Sequence, residues 1–424
     1  MKKLIALLLA CVMVLGLVAC GGNTTPETNA PEAGNNTPET TAPAAPEAIT
    51  LKVWGPNEDQ VDANSFLPVA CEKFDEAHPE WDIEFVFEVC AEGDAGGMVT
   101  KDPAAAADVF MYANDQLGTL LQSNAIARLG GAVLEQVKAD NTDRMIATVS
   151  NGDAVYGVPY TINTWFMYYD TSVYSEEDIK SLDAMMAIKP VAYQVTNTWY
   201  MPALYYAVGG TMFGDGTDGA AGVQFGGEKC AAVTLYIADA LASGKMIDDQ
   251  GGTGLDALRA GTVGAVFSGT WDAGNVKDAL GENYGAAAVP AITINGESYQ
   301  MTPFAGSKAF GVNPNSKNMA AATALAAWLG SAEMQALHAE IRNGEVQPIA
   351  KSIVEGNENA DAAAAAQTDT FNNKSVYQPT IPEMGAYWTN AGSMGQALVN
   401  GEINADNVAE MQATWNAGIN DAGL

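Results

Sequence analysis

The sequence predicts an α/β fold in two lobes, each a mainly parallel sheet flanked by helices and joined by crossing hinge segments. Three observations predict it. First, 424 residues exceed what a single core normally holds, and 48% of them are hydrophobic, enough for two packed cores. Second, from Ile49 to Leu121 short apolar runs alternate with helical patterns in βαβαβ order. That order calls for parallel pairing with right-handed crossovers. Third, apolar runs repeatedly end in a polar loop with an aromatic at its lip, and a helix follows. The model stretch is ADVFMYANDQLGTLL, residues 107–121. In open α/β sheets ligands sit outside the carboxyl ends of the strands. An aromatic ring beside Asn114, Asp115 and Gln116 suits a polyhydroxylated molecule: the ring covers apolar C–H faces and the polar groups take hydroxyls.

The chain opens with Lys2 and Lys3, an apolar run from Leu4 to Leu17, and small residues. This is a signal peptide, too short for a membrane span. Its ending, Leu17-Val18-Ala19-Cys20, resembles a bacterial lipobox, which implies cleavage after residue 19 and lipidation of Cys20. Acyl chains there would anchor the protein to a membrane surface. Residues 21–47 hold almost nothing apolar beyond Ala and Pro and read as a disordered tether. As a flexible coil it would span roughly 27–31 Å.

Residues 49–54 alternate and then meet Gly55-Pro56, a strand ending in a loop. Residues 62–77 have helical spacing with Phe66, Val69, Ala70 and Phe74 on one face. Residues 81–89 form a second strand, and 94–101 are polar and glycine-rich. The helix that opens after Gln116 is expected to reach 129–131. Asn151-Gly152-Asp153 makes a turn, and strands follow at 155–160 and 165–169. A short acidic helix covers 175–188. A strand at 192–195 leads into Asn197-Thr198-Trp199-Tyr200. A long helix covers 228–243. The buried strand 263–267 runs into Ser268-Gly269-Thr270-Trp271-Asp272. Another strand covers 286–289, and Asn295-Gly296 marks a hairpin. Residues 304–312 read as a return strand, and helices are expected at 318–330, 331–342, 360–367, 384–399 and 404–418.

A formal net charge of -32, about -34 without residues 1–19, repels nucleic acid and anionic membrane surfaces. Cys71, Cys90 and Cys230 remain after Cys11 and Cys20. An odd count argues against a disulfide framework, although Cys71 and Cys90 could pair. The two histidines, His78 and His338, lie far apart in sequence, so no metal site and no cofactor is expected.

Aromatics recur at loop lips: Trp54, Tyr112, Trp199, Trp271 and Trp388. Any one of these reads as packing; several at strand-to-helix junctions point to stacking on sugar rings. Segments 108–116, 156–160 (YGVPY), 268–271 (SGTW) and 381–384 (IPEM) leading into Tyr387-Trp388 together resemble the solute-binding proteins of sugar ABC importers, in their maltose/maltodextrin-binding branch. The resemblance runs from about Ile49 to Gly418. It implies a type II periplasmic-binding-protein-like fold crossing between lobes near Thr161, Phe304 and Gln347. One lobe is then 48–161 plus 305–347, and the other 162–304 plus 348–424. It also implies sugar stacking by Tyr112, by Trp199 or its neighbour Tyr200, and by Trp271, Tyr387 and Trp388, and hydroxyl acceptance by Asp115. Gln116 stands where relatives often have arginine, and Asn163 where a glutamate is common. A lysine expected after Trp54 is replaced by Glu58 and Asp59.

The resemblance further implies an oligosaccharide ligand, the transmembrane subunits of an ABC permease as partner, and a monomer outside the cytoplasmic membrane. Two rivals are a rigid carbohydrate-binding adhesin and a glycosidase, the latter needing two carboxylates roughly 5–9.5 Å apart across the scissile bond. No pair in the sequence carries such a signature.

Overall fold

The computed structural model describes residues 46–355 and 361–422. The signal peptide, Cys20 and most of the expected tether lie outside the described residues.

One sheet forms around the opening βαβαβ pattern. Glu47–Gly55 sits between Trp81–Val89 and Val109–Ala113, parallel to both, with Leu51 opposite Phe85 and Val53 opposite Val109. The return strand Phe304–Val312 has the bounds its sequence predicts, and it pairs antiparallel with Val109–Ala113 and with Val158–Asn163. Val376–Tyr377 adds a short parallel partner to its start. The second sheet runs in the order Met246–Asp248, Val191–Tyr193, Ala265–Ser268, Phe166–Asp170, Tyr284–Ala287. Its first three strands are parallel, and Phe166–Asp170 is antiparallel to both of its neighbours. The chain is therefore a two-lobed α/β protein, and each sheet adds antiparallel partners to a parallel set. The return strand in one sheet and Phe166–Asp170 in the other each arrive from across the molecule and run against the local direction.

Each sheet has its own apolar core. Phe66, Phe74, Phe110, Leu325 and Leu329 pack in the first, and Trp165, Tyr193, Phe267, Phe225 and Trp415 in the second. Burying such a side chain stabilises the fold by about 1.5–3 kcal/mol. Cys71, Cys90 and Cys230 are all free and buried, so Cys71 and Cys90 do not pair. Among the described residues no helix is long and apolar enough to cross a membrane.

Several elements depart from expectation. The first helix starts at Phe66, not at 62, because Asp62 and Ser65 fold the preceding residues into a turn held by side-chain bonds. Ala95–Lys101 is helical in spite of its glycines, since Ala95 and Val99 bury against the core. The helix after Gln116 stops at Gln122, where Asn124 takes a left-handed conformation. The helix expected over 384–399 breaks between Asn390 and Gly392, and the acidic segment splits into a 3-10 turn at Asp178–Lys180 and an α-helix at Leu182–Ile188. Helices Gly131–Asp140 and Asp143–Thr148 have no counterpart in the sequence reading. The Asn295-Gly296 hairpin holds, with φ of 53° and 82°, the left-handed pair that its turn requires.

Candidate functional site

The first three strands deliver their carboxyl ends to one edge of the first sheet. After Val89 the chain turns through Glu92–Asp94; after Ala113 it turns through Asn114–Gln116. These two turns pack against each other, and the return strand lies beside the second. Asn114 is fully buried, and its Oδ1 accepts from the Ser307 backbone N–H at 3.2 Å. Gly306 leaves the space for this contact, because a Cβ there would strike the Asn114 amide and the Asn163 carbonyl. Asn114 and Asn163 are thus gathered around one glycine of the return strand.

Asp115 follows, half-buried, and accepts from Gln116 Nε2 at 2.7 Å. Burial pushes its carboxyl up to about 6, against the lowering effects of Gln116, its own backbone and the Lys308 charge. A carboxylate so placed is partly shielded from water and is a strong acceptor for incoming hydroxyls. Lys308 itself pairs with Glu92 at 3.0 Å, and Glu92 also accepts from the Tyr160 hydroxyl at 3.0 Å. Burial drives the Glu92 carboxyl up, but Lys308, the backbone and Tyr160 outweigh it and leave it below the ordinary range.

The crossing strands lie side by side. The Thr161 hydroxyl donates to the Gln347 carbonyl at 2.8 Å, and the Thr164 hydroxyl to the Phe304 carbonyl at 2.6 Å. Gln378 follows Val376–Tyr377, and its backbone N–H donates to Ala305. Its side-chain Oε1 accepts from Trp199 Nε1 at 3.0 Å, in the turn after a strand of the second sheet. Trp199 in turn lies against Trp271, their ring centroids 6.1 Å apart. Trp271 stands in the turn after Ala265–Ser268 and Trp199 in the turn after Val191–Tyr193, so both occupy carboxyl ends of parallel strands. Trp388 sits edge-on to Phe304 at 6.2 Å, and its Nε1 has no hydrogen-bond partner among the described residues. The residues 378–388 run between these groups and the first sheet. Gly118, two residues after Gln116, presses on the backbone of Ile381 so closely that a Cβ would lie 2.6 Å from its carbonyl carbon.

Three expected stacking aromatics are core residues instead. Tyr112 is 0% exposed; its ring is wedged against Gly157 and Ala309, and its hydroxyl has no partner among the described residues. The strand Val109–Ala113 is buried on both faces, so Tyr112 lies in the core rather than at a loop lip. Tyr387 is also 0% exposed, with its hydroxyl on the Thr198 carbonyl at 2.8 Å. Helical spacing lets one of the adjacent pair Tyr387-Trp388 face outward, and it is Trp388. Trp54 is 7% exposed, with its indole N–H held by Glu88 at 2.7 Å. The structure therefore brings together Asp115 with Gln116, Asn163 with Asn114, and Trp199 with Trp271, and it places Trp388 beside Phe304. It withdraws Tyr112, Tyr387 and Trp54.

Asp59 also turns inward, leaving Glu58 exposed. Asp59 is 1% exposed and bonded to His338 at 3.0 Å and Arg342 at 2.8 Å. Gln378, Glu92 and Lys308 were not singled out in the sequence. Their only local signal is polarity inside otherwise apolar or proline-rich stretches.

The matching family model, described as bacterial extracellular solute-binding protein, covers residues 70–368. The chain belongs to the bacterial extracellular solute-binding proteins. Within that family it is similar to a galactooligosaccharide-binding protein of Bacillus subtilis, 26% identical over 72% of this chain and 75% of that one. It is also similar to the maltodextrin-binding protein MdxE of the same organism, 25% identical over 93% of this chain and 92% of that one. A solved structure described as "with acarbose" superimposes with a TM-score of 0.84 at 46% identity, covering 88% of this chain and 99% of the other. The solute-binding fold thus accounts for nearly all the described residues, and the named relatives are sugar-binding proteins.

Proposed function

We propose that this solute-binding protein is the substrate-binding component of an ABC importer, capturing neutral oligosaccharides of the maltose/maltodextrin class and handing them to the transmembrane subunits of a permease. The observation that carries this reading is the pair Trp199–Trp271, bridged through Gln378 to the return strand of the first sheet. Indole faces suit the apolar sides of sugar rings, and Asp115, Gln116 and Asn163 supply hydrogen bonds. Trp388 extends the apolar wall. The likeness at 46% identity to a protein solved with acarbose agrees with a sugar of more than one ring.

On this reading the lobes, with boundaries near Thr161, Phe304 and Gln347, close on the ligand. A ligand touching both lobes binds the closed form better and shifts the equilibrium toward it. Each hydroxyl left unpaired at closure costs about 1–3 kcal/mol, which rejects sugars of the wrong stereochemistry. On this reading the sugar is released unchanged. Lipidated Cys20 would hold the protein at the outer face of the cytoplasmic membrane, beside its permease, as a monomer.

Isothermal titration of the purified protein with maltose through maltohexaose tests this. Saturable binding of at least one of them, with no reducing sugar released from maltotetraose, is the expected outcome. No binding to any of the series would overturn the ligand class, and release of reducing sugar would make the protein a hydrolase.

A further inference from the structure

The return strand Phe304–Val312 is buried at every position but one. The exception is Lys308, whose side chain is 28% exposed. A lysine inside such a strand loses hydration, and that loss must be offset by a partner or a ligand. Its partner is Glu92, only 11% exposed at the side chain, at 3.0 Å. The contrast with Lys180–Glu177 is informative: there both side chains are mostly in water, at 68% and 82% exposure. Glu92 is fixed from behind by the Tyr160 hydroxyl, so the lysine is held rather than loosely tethered.

The ammonium carries three N–H donors. Among the described residues Glu92 is the one hydrogen-bond acceptor it meets. Lys308 lies opposite Ala113 in the sheet, at the edge where Asn114–Gln116 turn away, and its charge reaches Asp115. A ligand hydroxyl lying between the two can accept from the ammonium and donate to the carboxylate.

We propose that Lys308 is a specificity-determining residue of the sugar cleft, donating from its ammonium to a ligand hydroxyl that Asp115 accepts, with Glu92 as the positioning residue that holds it. The pairing rests on the oligosaccharide reading above. With Glu92 and Asp115 both ionised, the group carries a net negative charge. It therefore selects uncharged hydroxylated sugars and disfavours sugar acids.

The test is titration calorimetry with maltotetraose on wild type, Lys308→Met, Lys308→Arg and Glu92→Gln, repeated from pH 5 to pH 8. Lys308→Met should lose affinity by roughly 10- to 100-fold, the range of a charge-assisted hydrogen bond, and Lys308→Arg should recover part of it. Loss of the positive charge should also move the pH midpoint of binding upward, because Lys308 holds the Asp115 carboxyl down. The charges around Asp115 are Lys308 from the return strand and Glu92 and Asp94 from the packed 92–94 turn; the Asp59, His338 and Arg342 group lies behind Tyr160. Glu92→Gln keeps the lysine and should still weaken binding. Unchanged affinity and midpoint in Lys308→Met would overturn the proposal. Should Lys308→Met fail to fold, unchanged affinity in a folded Glu92→Gln would do so. If wild type binds none of the sugars, the ligand class has failed instead, and that outcome is read before any variant is compared.

Discussion

Asp115→Asn should stabilise the ligand-free protein while it weakens sugar binding. The carboxyl is moved from its ordinary 3.8 to about 6, chiefly by burial. At about 1.4 kcal/mol per pKa unit, keeping it ionised above pH 6 costs the folded state up to about 3 kcal/mol. The side chain keeps some solvent contact, and screening reduces the cost to about 1 kcal/mol. Asparagine is isosteric and can still accept from Gln116, so little else changes. The sign follows from proton linkage: the folded state holds this proton more tightly than the unfolded chain, so its stability rises as pH falls from above 6 toward 4. The advantage of the asparagine variant should accordingly be greatest at pH 8 and vanish near pH 4. Urea denaturation at the two pH values measures this. Titration calorimetry at pH 8 should show affinity for maltotetraose lowered roughly 10- to 100-fold, as the charged acceptor is lost. A variant less stable than wild type at pH 8, or one that binds sugar as well as wild type, would refute the reasoning.

Three further outcomes are expected. Trp271→Ala and Trp388→Ala should each weaken oligosaccharide binding by about 5- to 15-fold, through lost ring stacking of about 1–1.5 kcal/mol, with the far-ultraviolet circular dichroism unchanged; unaltered affinity in calorimetry would remove them from the site. Tyr112→Phe should leave binding intact and stability equal or slightly higher, since it deletes a buried hydroxyl that has no partner; a tenfold loss of affinity would restore Tyr112 to the ligand. Arg342→Met should destabilise the protein by about 1–3 kcal/mol, because Asp59 keeps only His338 as a buried partner. Burial raises the Asp59 carboxyl, but His338 and Arg342 bring it below 3.8, so its contribution is present above that pH and is lost as pH falls through the folded value. The difference from wild type in urea denaturation should therefore shrink at pH 3.

Much of the fold was legible because it is written locally. The strand 304–312 is apolar apart from Ser307 and Lys308, and Asn295-Gly296 can form only a few turns. The paired helices around Ser331 carry a serine cap that accepts from Met334. What was not legible depends on tertiary contact. Alternation along Val109–Ala113 says which residues share a face, but not that both faces are covered, and so Tyr112 read as a loop aromatic. The helix break at Ala391 has no proline to announce it. The antiparallel directions of Phe166–Asp170 and the return strand were not legible, because both pair with partners far away in sequence. The same holds at the site. Asp115 and Trp271 stand in turns with recognisable patterns, whereas Lys308 meets Glu92 from 216 positions away and Gln378 meets Trp199 from 179. No window of sequence contains either pair.

The central claim is that two lobes grip an uncharged oligosaccharide between indole walls and single polar acceptors. Small-angle X-ray scattering of the protein titrated with maltotetraose tests it most directly. The account predicts a radius of gyration that falls and saturates at the calorimetric stoichiometry. Binding with no compaction at saturating sugar would contradict lobe closure and favour a rigid carbohydrate platform.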